Sequence, residues 1–191
     1  MTRTHQEIKS IEAQPMSKSW DILRNVNEFV RFSDTKAGVV LAFAGGAGVF
    51  LANKAGAIHA LIVAHGNDGW SWLLYSVFYG YLVALCTTIA FAFTSIVPSL
   101  GSSEKRSLLY FKHICEDFQH DHNHYAESLS ALDEKAMESE LAHQICVNAG
   151  IATRKYDWVG RAIVALVITG AFWAVTVFLI LLLGEAVTPS K

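Results

Sequence analysis

The sequence predicts an all-α membrane protein. Three transmembrane helices carry an N-terminal amphipathic helix, with a cytosolic helical hairpin between spans two and three. Three observations predict it. Of 191 residues, 52% are hydrophobic and 17% charged, against about a quarter charged in a soluble domain. The missing charge is concentrated in three apolar runs, a membrane signature. The segments between the runs have helical periodicity, and none alternates as a strand would.

Residues 1–18 are polar and contain Pro15, which predicts a flexible tail. They hold no apolar stretch of the kind that a cleaved signal peptide needs. From Ser19 to Lys36 a helix is expected in which Trp20, Leu23, Val26, Val30 and the following Ala37 share one side at helical spacing, while Arg24, Asn25, Glu28 and Arg31 fall elsewhere. Residues 37–101 then form a transmembrane hairpin. Its first run, Ala37 to Asn53, lies between Lys36 and Lys54. The apolar piece Ala55 to His65 either continues that helix or lies at the interface, so the span covers about 37–60. GNDG, Gly66 to Gly69, predicts a turn. The second span covers about 72–97, with Trp70, Trp72 and Tyr75 as an interfacial belt at one end and Pro98 and Gly101 as stops at the other. Residues 102–161 are a cytosolic helical segment, read as one helix over 103–125 and a second over 128–161. The third span is 162–184, uncharged between Arg161 and Glu185 and long enough to cross a hydrocarbon core of about 30 Å. Residues 185–191 are an external tail. No breaker separates the polar segment from Ser128 onward from the apolar run that ends at Gly184, so this stretch reads as a link from water into lipid.

Lysine and arginine number six in residues 1–36, one in 54–68, seven in 102–161 and one in the tail. The positive-inside rule therefore places the N-terminus and polar middle in the cytoplasm, and the 54–68 loop and C-terminus outside. Net charge is −2, which gives no reason to expect a nucleic-acid partner. Cys86, Cys115 and Cys146 imply no disulfide framework.

Small residues recur every fourth position. Gly38, Ala42 and Gly46 form one stripe, Ala44, Gly48, Ala52, Gly56, Ala60 and Ala64 a second, and Gly80, Ala84, Thr88 and Ala92 a third. Such stripes let helices approach closely, either within one chain or in a homo-oligomer. The uncharged runs 37–53, 72–97 and 162–184 contain no Asp, Glu, Lys, Arg or His, which argues against ion-coupled transport. The hydroxyls of Thr87, Thr88, Thr94, Ser95, Thr169 and Thr176 are expected to bond the carbonyl one turn back, or to line any pore.

The segment His113 to His124 offers His113, Cys115, Asp117, His120, Asp121, His122 and His124, with His143 and Cys146 further on. The types suit zinc, but the spacing matches no tetrahedral motif, so a solvated helix end is the better reading and no metal or other cofactor is expected. GGAG at Gly45 to Gly48 lacks the strand and the Lys-Ser/Thr of a phosphate loop. No nucleophile and base stand at motif spacing, so no catalytic residue is predicted and the chain is not expected to be an enzyme. Cytoplasmic cations near the membrane, Arg31, Lys36, Lys105, Arg106, Arg154, Lys155 and Arg161, suit either an anionic ligand or anchorage to the anionic leaflet. A seam of Leu129, Leu132, Ala136, Leu141, Ile145, Asn148, Ala152, Tyr156 and Val159 predicts packing in a small bundle or a coiled-coil oligomer.

FSDTKAG before the first span, IVPSL closing the second and HQICVNAGIATRKYDWVGRA entering the third together resemble the bacterial Pycsar transmembrane effectors. The resemblance runs from Trp20 to Gly184. It implies an effector encoded beside a pyrimidine cyclase, activated during phage infection by cyclic CMP or cyclic UMP. Such an effector impairs the inner membrane, so that the infected cell stops growing or dies before phage release. No ligand residues carry over from the family. The match is best at Asp34, Lys36, Arg154, Lys155 and Tyr156, which with Arg31 are the candidate ligand-binding residues. Gly38, Ala42, Gly46, Gly80 and Ala84 are the candidate helix-packing or oligomer contacts. The alternatives are a membrane adaptor docking a soluble partner and, last, a metal sensor.

Overall fold

In the computed structural model, residues 2–66, 69–97, 106–119 and 121–187 are described, with side chains for 18–64, 66, 69–97, 106–119 and 121–183. The described residues form five helices and no strands: α1 Thr2–His65, α2 Gly69–Ile96, α3 Phe111–Phe118, α4 His122–Ser130 and α5 Glu134–Val187. Helices α1, α2 and α5 are each long and apolar enough to cross a membrane. The protein is therefore an all-helical membrane protein with three candidate spans. Helix α1 reaches back to Thr2, before the start expected near Ser19. Pro98, Gly101 and residues 188–191 lie outside the described residues, as do Asn67 and Asp68 of the expected turn.

The chain divides into two compact units, 1–32 with 98–154 and 33–97 with 155–191. In the second unit the three long helices pack through side chains seven residues apart. Ala37, Ala44, Leu51 and Ile58 are buried on α1, Leu74, Tyr81, Thr88 and Ser95 on α2, and Ala162, Thr169, Thr176 and Leu183 on α5. A seven-residue period keeps one stripe facing its partners as helices supercoil, as in most membrane bundles. At one end Ile58, Leu61 and Ile62 join Leu74, Leu179 and Leu183 in a core of large side chains. The piece after Lys54 is thus part of the packed helix and not an interfacial segment. That continuation also puts exposed Lys54 and His59 on the packed length of α1, so the uncharged run 37–53 is shorter than the helix that packs. At the other end the core is small, with Val40, Ala92 and Ala162.

Hydroxyls tie α2 to both neighbours. Ser71 Oγ donates to the Ile62 carbonyl at 3.2 Å and Tyr81 Oη to that of Ala47 at 2.9 Å. Thr88 and Thr169 each bond one turn back, to Ala84 and Ala165, and their oxygens also lie 3.1 Å apart. Two protons serve these three contacts, so the helices share them across the interface. Thr87, Thr94 and Thr176 bond one turn back as expected. Ser95 does not: its hydroxyl crosses to the Lys155 carbonyl of α5 at 3.2 Å.

In the first unit the sequence reading needs correction. The helix expected over 103–125 is two helices, and the one expected from Ser128 starts at Glu134. Gln119 takes a left-handed conformation (φ 46°), which ends α3. Asp121 then caps α4 by accepting from the amides of Asn123 and His124. Asp133 caps α5, accepting from the Ala136 amide at 2.7 Å. Short polar side chains satisfy the orphan amides of a helix start, so a new helix can begin without glycine or proline. Helix α5 then runs unbroken through Gly150 and Gly160 to Val187.

Candidate functional site

At the small-core end of the second unit, Lys155 stands at the head of the α5 heptad line. Ala152, Lys155, Val159 and Ala162 are all buried, with Lys155 only 9% exposed. A buried ammonium needs a counter-charge and hydrogen bonds to offset lost hydration. Asp34 of α1 supplies both through an ion pair with the Lys155 ammonium. The carboxylate is 43% exposed and the ammonium side chain 11%, so water reaches this pair from the Asp34 side. Because Ser95 of α2 bonds the same residue's carbonyl, Lys155 links all three long helices. Ser33, beside Asp34, is fully buried, which holds this turn of α1 against the bundle.

An aromatic and cationic collar accompanies the pair. The Lys36 ammonium lies 4.9 Å from the Tyr156 ring centroid and the Arg161 guanidinium 4.6 Å from that of Trp158. Trp158 in turn packs on Phe91, with centroids 5.6 Å apart. Cations held over ring faces stay positioned while still open to solvent or an anion.

Of the six candidate ligand residues, the structure brings Asp34 to Lys155 and Lys36 to Tyr156. Arg31 and Arg154 belong to the other unit. Arg154 Nε donates to the Gly150 carbonyl one turn back along its own helix. Sequence reasoning took Tyr156 as the seam residue, whereas Lys155 is the buried one and Tyr156 half-buried. The signal was present, since 155 lies seven residues before Ala162, but a lysine between apolar positions reads as surface. Ser95 and Arg161 are named in the sequence only for other roles, and Phe91 and Trp158 are not singled out there.

The first unit has its own polar links. Asn148 Nδ2 donates to Asn27 Oδ1 at 2.7 Å, and Gln144 Nε2 to Asn148 Oδ1 at 3.2 Å. Asn148 therefore connects the seam to α1 by amides. His113 is buried and accepts the Ser107 amide at Nδ1, 3.0 Å away, which places its proton on Nε2. Tyr125 Oη closes the same loop onto the Leu108 carbonyl, and Arg106 pairs with Asp117. No three metal-ligating side chains converge among the described residues; His120 lies outside them.

The small-residue stripes divide. A Cβ on Gly80 would meet Phe172 Cε1 at 2.5 Å, and Ala84, Thr88 and Ala92 are buried, so this stripe packs within the chain. Gly38, Ala42 and Gly46 are exposed, and nothing lies within 4 Å of a Cβ at either glycine. Ala42 and Gly46 border a groove of about 520 Å³ with Thr169, Gly170 and Trp173.

Comparison with known proteins decides the family. The Pycsar effector protein domain model matches residues 18–182. The chain belongs to the Pycsar effector family. It is similar to the Pycsar effector protein PtPycTM of Propioniciclava tarda, with 28% identity over 159 residues, covering 81% of this chain and 74% of that relative. No solved structure matches it. The matched residues 18–182 contain the Asp34–Lys155 pair, the collar and nearly all of the three candidate spans.

Proposed function

We propose that this protein is a membrane effector of cyclic-nucleotide antiphage defence. It senses cyclic CMP or cyclic UMP from a cognate pyrimidine cyclase through its cytosolic helices. It then impairs the inner membrane, arresting growth or aborting the infection, without catalysis. The observation that carries this reading is the family match over nearly the whole described chain, on three helices long enough to span a bilayer. The lysine and arginine count supports an N-terminus and residues 102–161 in the cytoplasm, with the C-terminus outside. Exposed Gly38, Ala42 and Gly46 support a homo-oligomer, since nothing lies within 4 Å of a Cβ at either glycine and a second helix has room there.

The ligand is read at Asp34, Lys36, Lys155 and Tyr156. A cyclic nucleotide offers one phosphodiester anion and one flat base. The collar offers ammonium groups and an aromatic face to match them. Binding must favour one conformation over another, because equal affinity for both shifts nothing. Calorimetry on the detergent-solubilised protein tests the sensing half. Cyclic CMP or cyclic UMP should bind with micromolar or tighter affinity, and Lys36→Ala should weaken binding. Absence of heat with every cyclic nucleotide would refute the sensing.

A further inference from the structure

The pairing of Asp34 with Lys155 does more than neutralise a charge. Lys155 occupies a heptad position that is apolar or hydroxylic at every later seven-residue repeat: Ala162, Thr169, Thr176 and Leu183. An apolar residue there would pack without any counter-ion, so the charge makes the α1–α5 contact conditional on Asp34. The carboxylate is the more exposed partner and the one that an incoming anion can replace. The ammonium, once released, sits on a long flexible stem that can extend toward lipid phosphates. Since Ser95 of α2 bonds the Lys155 carbonyl, movement of residue 155 is felt by all three helices.

We propose that Asp34 is an internal counter-anion that latches the resting bundle, and that activation transfers Lys155 from Asp34 to an anionic phosphate. In the resting chain Asp34 holds α5 on α1. In the activated chain a phosphate group takes the ammonium and α5 leaves that position. This inference rests on the ligand reading above only for the source of the phosphate; the latch itself is a property of the pair.

The asymmetry of the pair gives the test. Asp34→Asn leaves a buried cation unpaired, whereas Lys155→Met removes that cation and keeps the length of the side chain. The protein is synthesised directly into vesicles of phosphatidylethanolamine and phosphatidylglycerol loaded with a self-quenching dye. Release is then read without nucleotide. Asp34→Asn should leak about tenfold faster than the unaltered chain, a usual size for one coupling energy. Lys155→Met alone should fail to respond to cyclic CMP or cyclic UMP, because the ammonium that a phosphate would take is gone. Asp34→Asn with Lys155→Met should return to the resting rate. Resting leakage from Asp34→Asn would overturn the latch. So would a double variant as leaky as the single one, because misfolding would then explain the leak. An unaltered chain indifferent to both nucleotides, with Asp34→Asn still leaky and rescued, would refute the assigned ligand and uphold the latch.

Discussion

Alanine at Gly80 should destabilise this protein relative to alanine at Gly46, although both glycines lie in apolar helices. A Cβ at Gly80 would stand 2.5 Å from Cε1 and 2.6 Å from Cζ of Phe172, while nothing lies within 4 Å of one at Gly46. To reach an ordinary 3.4 Å contact the ring edge must withdraw by about 0.9 Å. That movement disturbs the packing of the half-buried ring on the cluster of Ala44, Leu51, Tyr81 and Leu85. Both substitutions gain the same preference of alanine over glycine for a helix, about 1 kcal/mol. Their difference therefore isolates the overpacking, about 1–3 kcal/mol. Unfolding in dodecyl maltoside micelles by added dodecyl sulfate, followed by circular dichroism, reads both variants. Phe172→Leu in the Gly80→Ala background should shrink the difference, because the shorter side chain leaves room for the methyl group. Equal stability of the two alanine variants to within about 0.5 kcal/mol would refute the close packing of α2 on α5.

Two further substitutions test the polar links, one in each unit. Tyr81→Phe removes the hydroxyl that bonds the Ala47 carbonyl and should lower stability by about 0.6 kcal/mol, and by no more than about 1.7, in the same unfolding experiment. His113→Ala leaves the Ser107 amide without its acceptor and should lower local stability by about 1–3 kcal/mol; hydrogen exchange should then accelerate in the peptide over 106–113, while unchanged exchange would refute that loop closure.

The three spans were legible because charge is absent from long runs, a property that needs no tertiary structure. Helix breaks were less so. Gln119 and Asp121 separate α3 from α4 without the glycine or proline that usually announces a boundary, and the cap is visible only once the backbone bends. The direction of each glycine stripe was hidden too, since spacing marks close approach and not the partner. Gly80 faces Phe172, 92 positions later, while Gly46 faces outward. The Asp34–Lys155 pair spans 121 positions; both residues had been singled out, but only folding pairs them. The seven-residue line from Lys155 to Leu183 was present in the sequence throughout. Its members, a lysine, an alanine, two threonines and a leucine, are too mixed in type to mark a packed seam by composition alone.

The central claim is that a cyclic pyrimidine nucleotide turns this chain from a silent membrane protein into one that breaches the bilayer. The most direct measurement is dye release from vesicles carrying the purified full chain, titrated with cyclic CMP, cyclic UMP, cyclic AMP and cyclic GMP. The account predicts no release above protein-free vesicles without nucleotide, and saturable release with one of the two pyrimidine nucleotides only. Release that is the same with and without every nucleotide, or that answers equally to all four, would contradict it.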